Sequence, residues 1–215
     1  MSNSGLISRT LISPNKSHPR SKPITRITPH CFVGQVTLDN GLKVFQPSSK
    51  QASCNYLIDK NGKIGLCVDE ADRSWCSSSS DNDNRAVTIE VASDSTAPYT
   101  ITDAAYDSLV DLMADICRRN GKNKLTWINN KAKALAYRQA DDEMLITVHR
   151  WFKNKECPGK YIMDHLPDIT ARVNRKLKPN TLYRVQVGAF SKRENAEALA
   201  KELRNKGYST IVKEG

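Results

Sequence analysis

Histidine is scarce in this 215-residue chain, four residues in all, and two of them stand in unusual company. His30 closes a buried-strand pattern within ITPHCFVGQ, and His149 closes another apolar stretch, followed eight residues later by Cys157 in KECPG. Catalytic zinc takes three protein ligands from His, Cys or acidic side chains and leaves its fourth position to water. A His, His, Cys set suits that role, and water bound there falls in pKa toward neutrality. Spacing alone does not bring His30 to His149. Both also suit a core or strand-end position with ordinary hydrogen-bond partners, and that reading stays open on the residues alone.

The elements that must position these residues read as alternating strands and helices, which argues for an α/β fold. Residues 24–33 form a buried-strand pattern. Residues 53–68 form a hairpin, with NYLI and KIGLCV flanking the turn sequence DKNG. Ala86 to Ala92 (AVTIEVA) is strand-like, and residues 77–84 are a polar, low-complexity loop. From Thr102 to Arg119 apolar residues recur at helical spacing (Ala105, Leu109, Leu112, Met113, Ile116), with Asp103 and Asp107 in the first turns and Gly121 past the end. Met144 to Val148 leads into His149. A helix is expected over Tyr161 to Leu177, interrupted or restarted near Pro167. The first 23 residues, rich in Ser, Pro, Asn, Lys and Arg, read as an extended lead-in.

The formal net charge of +10 attracts any polyanion, so nucleic acid, anionic lipid and acidic wall polymers all qualify. No nucleic-acid-binding signature is visible, and no apolar run is long enough to cross a bilayer. Six cysteines without a CxxC pair are expected to be free thiols. The N-terminus lacks the apolar core of a secretory signal, so synthesis in the cytoplasm and action on an external target only after release are expected.

Four stretches, ITPHCFVGQ, CNYLIDKNGKIG, RAVTIEVAS and TVHRWFKNKECPG, resemble in order the type-2 N-acetylmuramoyl-L-alanine amidases, relatives of the peptidoglycan-recognition proteins, over approximately residues 24–175. The resemblance implies a mixed central sheet flanked by helices, with Zn2+ held by His30, His149 and Cys157 in a groove at one sheet edge. It implies that Glu90 is the catalytic acid that moves the proton and that Lys155 stabilises the oxyanion. Where some members place a tyrosine beside the zinc, this chain has Cys54. Tyr56, two residues on, is a candidate substitute, and a branch that relies on the glutamate is the other reading. The segment from Trp75 to Arg85 suits one wall of a groove for a sugar–peptide ligand, or equally an exposed loop around a core tryptophan.

Beyond a linker at residues 179–181, the segment 182–215 (LYRVQVGAFS, then ENAEALAKELR) resembles the opening of a SPOR domain, a binder of denuded glycan. The expected pattern is strand, helix, strand: residues 183–190, 194–205 and 208–212. That family repeats the unit twice and this segment holds one pass. Together these features imply a peptidoglycan amidase of the endolysin or autolysin kind over residues 1–178, with peptidoglycan as partner. A wall-recognition protein that binds muropeptide without cutting is the alternative. The presence of Cys157 counts against it, because non-catalytic relatives commonly lose that ligand.

Overall fold

Strands buried on both faces of a parallel sheet need near-continuous apolar and β-branched runs, and the two such runs in this chain lie side by side at the sheet centre. The computed structural model describes residues 2–178 and 185–214. In it β3 (Arg26–Val33) and β7 (Ala86–Ser93) pair in parallel over eight positions, from Arg26 opposite Ala86 to Val33 opposite Ser93. Around them lie β1 (Ile7–Thr10), β4 (Tyr56–Ile58), β5 (Ile64–Leu66), β8 (Lys124–Thr126) and β9 (Glu143–Ile146). The order β1-β5-β4-β7-β3-β9-β8 makes a seven-stranded sheet, mixed because β4 and β5 are antiparallel while the other pairs are parallel. A separate two-stranded ribbon joins β2 (Lys16–Ser17) to β6 (Arg73–Ser74).

The β4–β5 hairpin turns where the sequence places it. The Asp59 carboxylate accepts hydrogen bonds from the backbone N–H of Asn61 and Lys63 at 2.8 and 2.9 Å, and Gly62 adopts φ +79°. A Cβ at Gly62 would meet the Ala104 carbonyl at 2.5 Å, so glycine is needed there.

The two sheet faces have different covers. Helices α3 (Asp103–Arg119) and α5 (Gly159–Leu177) cover one face, burying Leu109, Leu112, Met113, Ile116, Ile162, Leu166 and Ile169 against Ile27, Val87, Ile89 and Val91. The other face carries the short α1 (Leu38–Lys43) over a smaller cluster of Leu38, Leu42, Phe45, Cys54, Leu57 and Cys67. Side chains alternate along a strand, so Thr28 and His30, with Thr88 and Glu90 beside them, point away from the large core toward this less covered face. Helix α3 begins as the sequence predicts, with the Thr102 hydroxyl accepting from Ala105 N–H at 3.1 Å, and Gly121 beyond it takes φ +67°.

Two expectations about local structure are corrected. Helix α5 runs unbroken through Pro167, because the buried stripe Ile162, Leu166, Ile169, Val173, Leu177 continues on both sides while Pro167 lies on the exposed face. The polar stretch at residues 77–84 is no simple loop: Ser80–Arg85 forms a helix, α2, capped by the Ser79 hydroxyl. A third short helix, α4 (Lys131–Ala136), was not legible in the sequence.

The N-terminal lead-in is extended but belongs to the domain. It supplies the edge strand β1 and the ribbon strand β2, and Ser4, Ser13, Asn15 and Arg20 are buried. The Arg20 guanidinium donates to the carbonyls of Glu70, Asp72, Asn84 and Ala86. Ser4 N–H donates to the Tyr56 hydroxyl at 2.9 Å, which donates to Glu70 Oε1 at 2.7 Å, and Arg119 pairs with the same carboxylate. Tyr56→Phe leaves the buried Ser4 N–H without its partner, so a loss of about 1–3 kcal/mol is expected by urea denaturation. An unchanged midpoint would mean the tether carries no stability.

The C-terminal unit, Pro179–Gly215, holds one described helix, α6 (Arg193–Asn205), which buries only Ala200. Residues 185–190 and 208–212 form no strands, unlike the expected strand–helix–strand; residues 183–184 lie outside the described residues. Val185, Val187, Tyr208 and Ile211 are exposed. Among the described residues no helix is long and apolar enough to cross a membrane.

Candidate metal centre and substrate groove

His30, from β3, and His149, from the turn after β9, meet although 119 residues separate them, because both strands end on the same side of the sheet. Their ring centroids lie 5.0 Å apart. Cys157 Sγ lies 3.2 Å from His30 Nδ1. One ligand atom from each of His30, His149 and Cys157 falls within 4.8 Å of the other two. The chain is folded to produce this meeting. Residues 149–151 make a single 3-10 turn, and Trp151 anchors it by stacking on Trp127 at 5.4 Å. Arg150 N–H donates to the Cys157 carbonyl at 3.1 Å, which ties the cysteine loop to the histidine turn.

Burial, with a smaller push from His149, holds His30 well below the usual imidazole range, and burial with the nearby Lys155 charge lowers His149 as well. Both rings are therefore neutral near pH 7, the form that ligates metal. The neighbouring Cys31 thiol, and then burial, push the Cys157 thiol up. The residues fit zinc in donor type and grouping. His30 Nε2 and Glu90 Oε2 are also buried without a hydrogen-bond partner, the mark of a site built for something further.

Glu90 lies directly opposite His30 across the β3–β7 pair, on the same face. Burial pushes its carboxyl up to about 7 against the opposing effects of a contact with Cys76, Sγ to Oε1 at 3.7 Å, and the Lys50 charge. A second group of three donors, His30, Cys76 and Glu90, also falls within 4.8 Å. Lys155 and His149 line a groove of about 480 Å³ together with Arg73, Trp75, Cys76 and Asp83, so the stretch read as a groove wall lies at the site. Tyr56 does not substitute for the missing tyrosine. The chain turns between Cys54 and Tyr56, so Cys54 is buried in the α1 cluster and Tyr56 points into the opposite core. All six cysteines are free.

Sequence reasoning missed the polar frame behind the candidate ligands. Thr28 and Thr147, each two residues before a candidate ligand histidine, hydrogen-bond each other at 2.8 Å. The buried Asn82 donates to Thr28 at 3.0 Å and accepts from Thr147 at 3.0 Å, clamping the two strands just below His30 and His149. The Asp83 carboxylate accepts from Cys76 N–H, Ser77 N–H and the Ser77 hydroxyl. That grip sets the bend at Ser78 (φ +60°), whose hydroxyl lies 3.2 Å from His149 Nε2. A partner on one ring nitrogen is the usual way a ligand histidine is oriented. The repeated Thr-x-His spacing in TPH and TVH was the available signal.

The seven-stranded mixed sheet with helices on both faces matches the fold of several solved structures. The catalytic domain of PlyG, in a solution structure, matches with TM-score 0.56 and 16% identity over 83% of this chain and 99% of its own. The hydrolase AmiA of Staphylococcus aureus, in complex with its ligand, matches with TM-score 0.56 and 12% identity over 82% of this chain and 85% of its own. A mutant endolysin from Bacillus subtilis matches with TM-score 0.54 and 14% identity over 78% and 99%. At such identities the likeness concerns the fold. No curated protein matches the chain. The profile of the N-acetylmuramoyl-L-alanine amidase family matches residues 20–160, and the chain belongs to that family. The SPOR domain profile matches residues 179–215, and both assignments make peptidoglycan the partner.

Proposed function

We propose that the chain hydrolyses the amide between the lactyl group of N-acetylmuramic acid and L-alanine in a zinc-dependent reaction, lysing cell wall after release from the cell that makes it. The observation that carries this reading is the convergence of His30, His149 and Cys157 beside the buried Glu90, at the end of a groove. His30, His149 and Cys157 would hold the ion, which when bound supplies Lewis-acid polarisation and an acidified water. The Glu90 carboxyl, buried and raised to about 7, is suited to take a proton from the attacking water and return it to the departing alanine nitrogen. The Lys155 ammonium, at the groove beside His149, would offset charge that develops on the carbonyl oxygen. Ser78 and the Asn82 clamp keep His149 and His30 in place while this happens.

The test is digestion of purified sacculi with and without a chelator, following new free amino groups and new reducing sugars. The expected result is L-alanine N-termini that disappear on chelation, return with zinc, and come without reducing ends. Zinc-loaded protein that sediments with sacculi of several wall types yet releases nothing would instead support a non-cutting recognition protein.

A further inference from the structure

Arg73 lines the groove with most of its hydrogen-bonding capacity unused. It lies on β6, opposite Ser17 of β2, and donates from Nη2 to the Ser17 hydroxyl at 2.6 Å. The same hydroxyl accepts the indole N–H of Trp75 at 2.9 Å, so one serine of the N-terminal ribbon fixes both a guanidinium and an aromatic wall at the groove. A guanidinium carries five donors in a planar fork matched to a carboxylate. Among the described residues Arg73 uses only the Ser17 contact and makes no ion pair. The acid that shares the groove, Asp83, is already engaged by Cys76 N–H, Ser77 N–H and the Ser77 hydroxyl. With Lys155 on the same groove, the lining has two cations and one satisfied carboxylate. Arg73 is half-buried and near enough for its charge to act on Asp83, yet its guanidinium makes no ion pair among the described residues and keeps donors to offer an anion.

We propose that Arg73 binds the free carboxylate on the stem peptide next to the scissile bond, that of the residue after L-alanine, and so selects unamidated over amidated stems. This rests on the amidase reading. That carboxylate lies one residue beyond the alanine whose nitrogen departs, a span an extended dipeptide covers in about 7 Å. A charge-assisted bidentate contact strengthens the Michaelis complex and is made equally in the transition state, so its loss should appear in KM and leave kcat near its original value. Ser17 is the positioning residue that keeps the fork open to the groove.

The experiment compares two synthetic substrates, N-acetylmuramoyl-L-alanyl-D-isoglutamate and its isoglutamine counterpart, which differ only in carboxylate against carboxamide. For each, kcat and KM are measured with wild type, Arg73→Lys and Arg73→Gln, and Kd is measured by calorimetry. The wild type should favour the acid by about 10- to 100-fold, in KM and Kd. Arg73→Gln should close that gap to within about twofold, and Arg73→Lys should restore part of it as charge without the fork. A wild type that treats both alike, or an Arg73→Gln variant that keeps the preference, overturns the proposal. If neither substrate is cut, the amidase reading fails, and calorimetry alone decides Arg73: equal Kd values reject it, and a preference lost in Arg73→Gln sustains it.

Discussion

Replacing Cys157 by serine is expected to remove zinc and turnover together while leaving the fold in place. The sulfur is the soft member of the set, 3.2 Å from His30 Nδ1 and brought there by the loop that Arg150 N–H ties down. A serine hydroxyl keeps the shape but does not ionise near neutrality, so the ion would be left with two neutral imidazoles. Zinc supplies several kcal/mol of transition-state stabilisation, so activity on sacculi should fall by about three decades or more. Metal content should drop from about one ion per chain to a trace in elemental analysis, with an unchanged circular dichroism spectrum. Zinc that stays in Cys157→Ser and leaves in Cys76→Ser would move the centre to the neighbouring group His30, Cys76, Glu90.

What the sequence revealed of this site, and what it withheld, follows from where each signal is written. The central strands were legible because apolar and β-branched residues fill most of RITPHCFV and AVTIEVAS, with Ile27, Val87, Ile89 and Val91 turned to the large core. Helix α3 was legible at both ends because capping is local chemistry: Thr102 and Gly121 do their work within one turn. The meeting of His30 with His149 was not legible from spacing, since parallel register between β3 and β9 is set by pairing 119 residues apart; only the family resemblance joined them.

The N-terminal segment misled for a related reason. Its buried residues are serines, an asparagine and an arginine, which hold their place through hydrogen bonds to distant backbone and leave no hydrophobic pattern. The same holds for Asn82 and Asp83, which sit in a stretch whose composition reads as loop while their side chains frame the site. Pro167 shows the opposite case, a strong local signal overridden: one lost backbone bond on an exposed face does not outweigh five buried side chains on the other.

Glu90→Gln should separate binding from chemistry. The substitution is nearly isosteric and keeps an acceptor for Cys76 at the Oε1 position, so zinc content and KM should stay close to wild type. The amide can neither take a proton from water nor return one to the leaving nitrogen, and kcat should fall by about 10²- to 10⁴-fold. A second readout comes from the chelated protein. Burial raises the Glu90 carboxyl from 4.5 to about 7, so its contribution to stability is fully present below pH 4.5 and is lost as pH rises through 7. Glutamine carries no such penalty, so metal-free Glu90→Gln should be more stable than wild type at pH 8, by roughly 2–3 kcal/mol at most, with a much smaller difference at pH 4. Full turnover in Glu90→Gln would take the proton shuttle away from this residue. Reduced turnover with no pH-dependent gain in stability would place the carboxyl in a wetter setting than its burial implies.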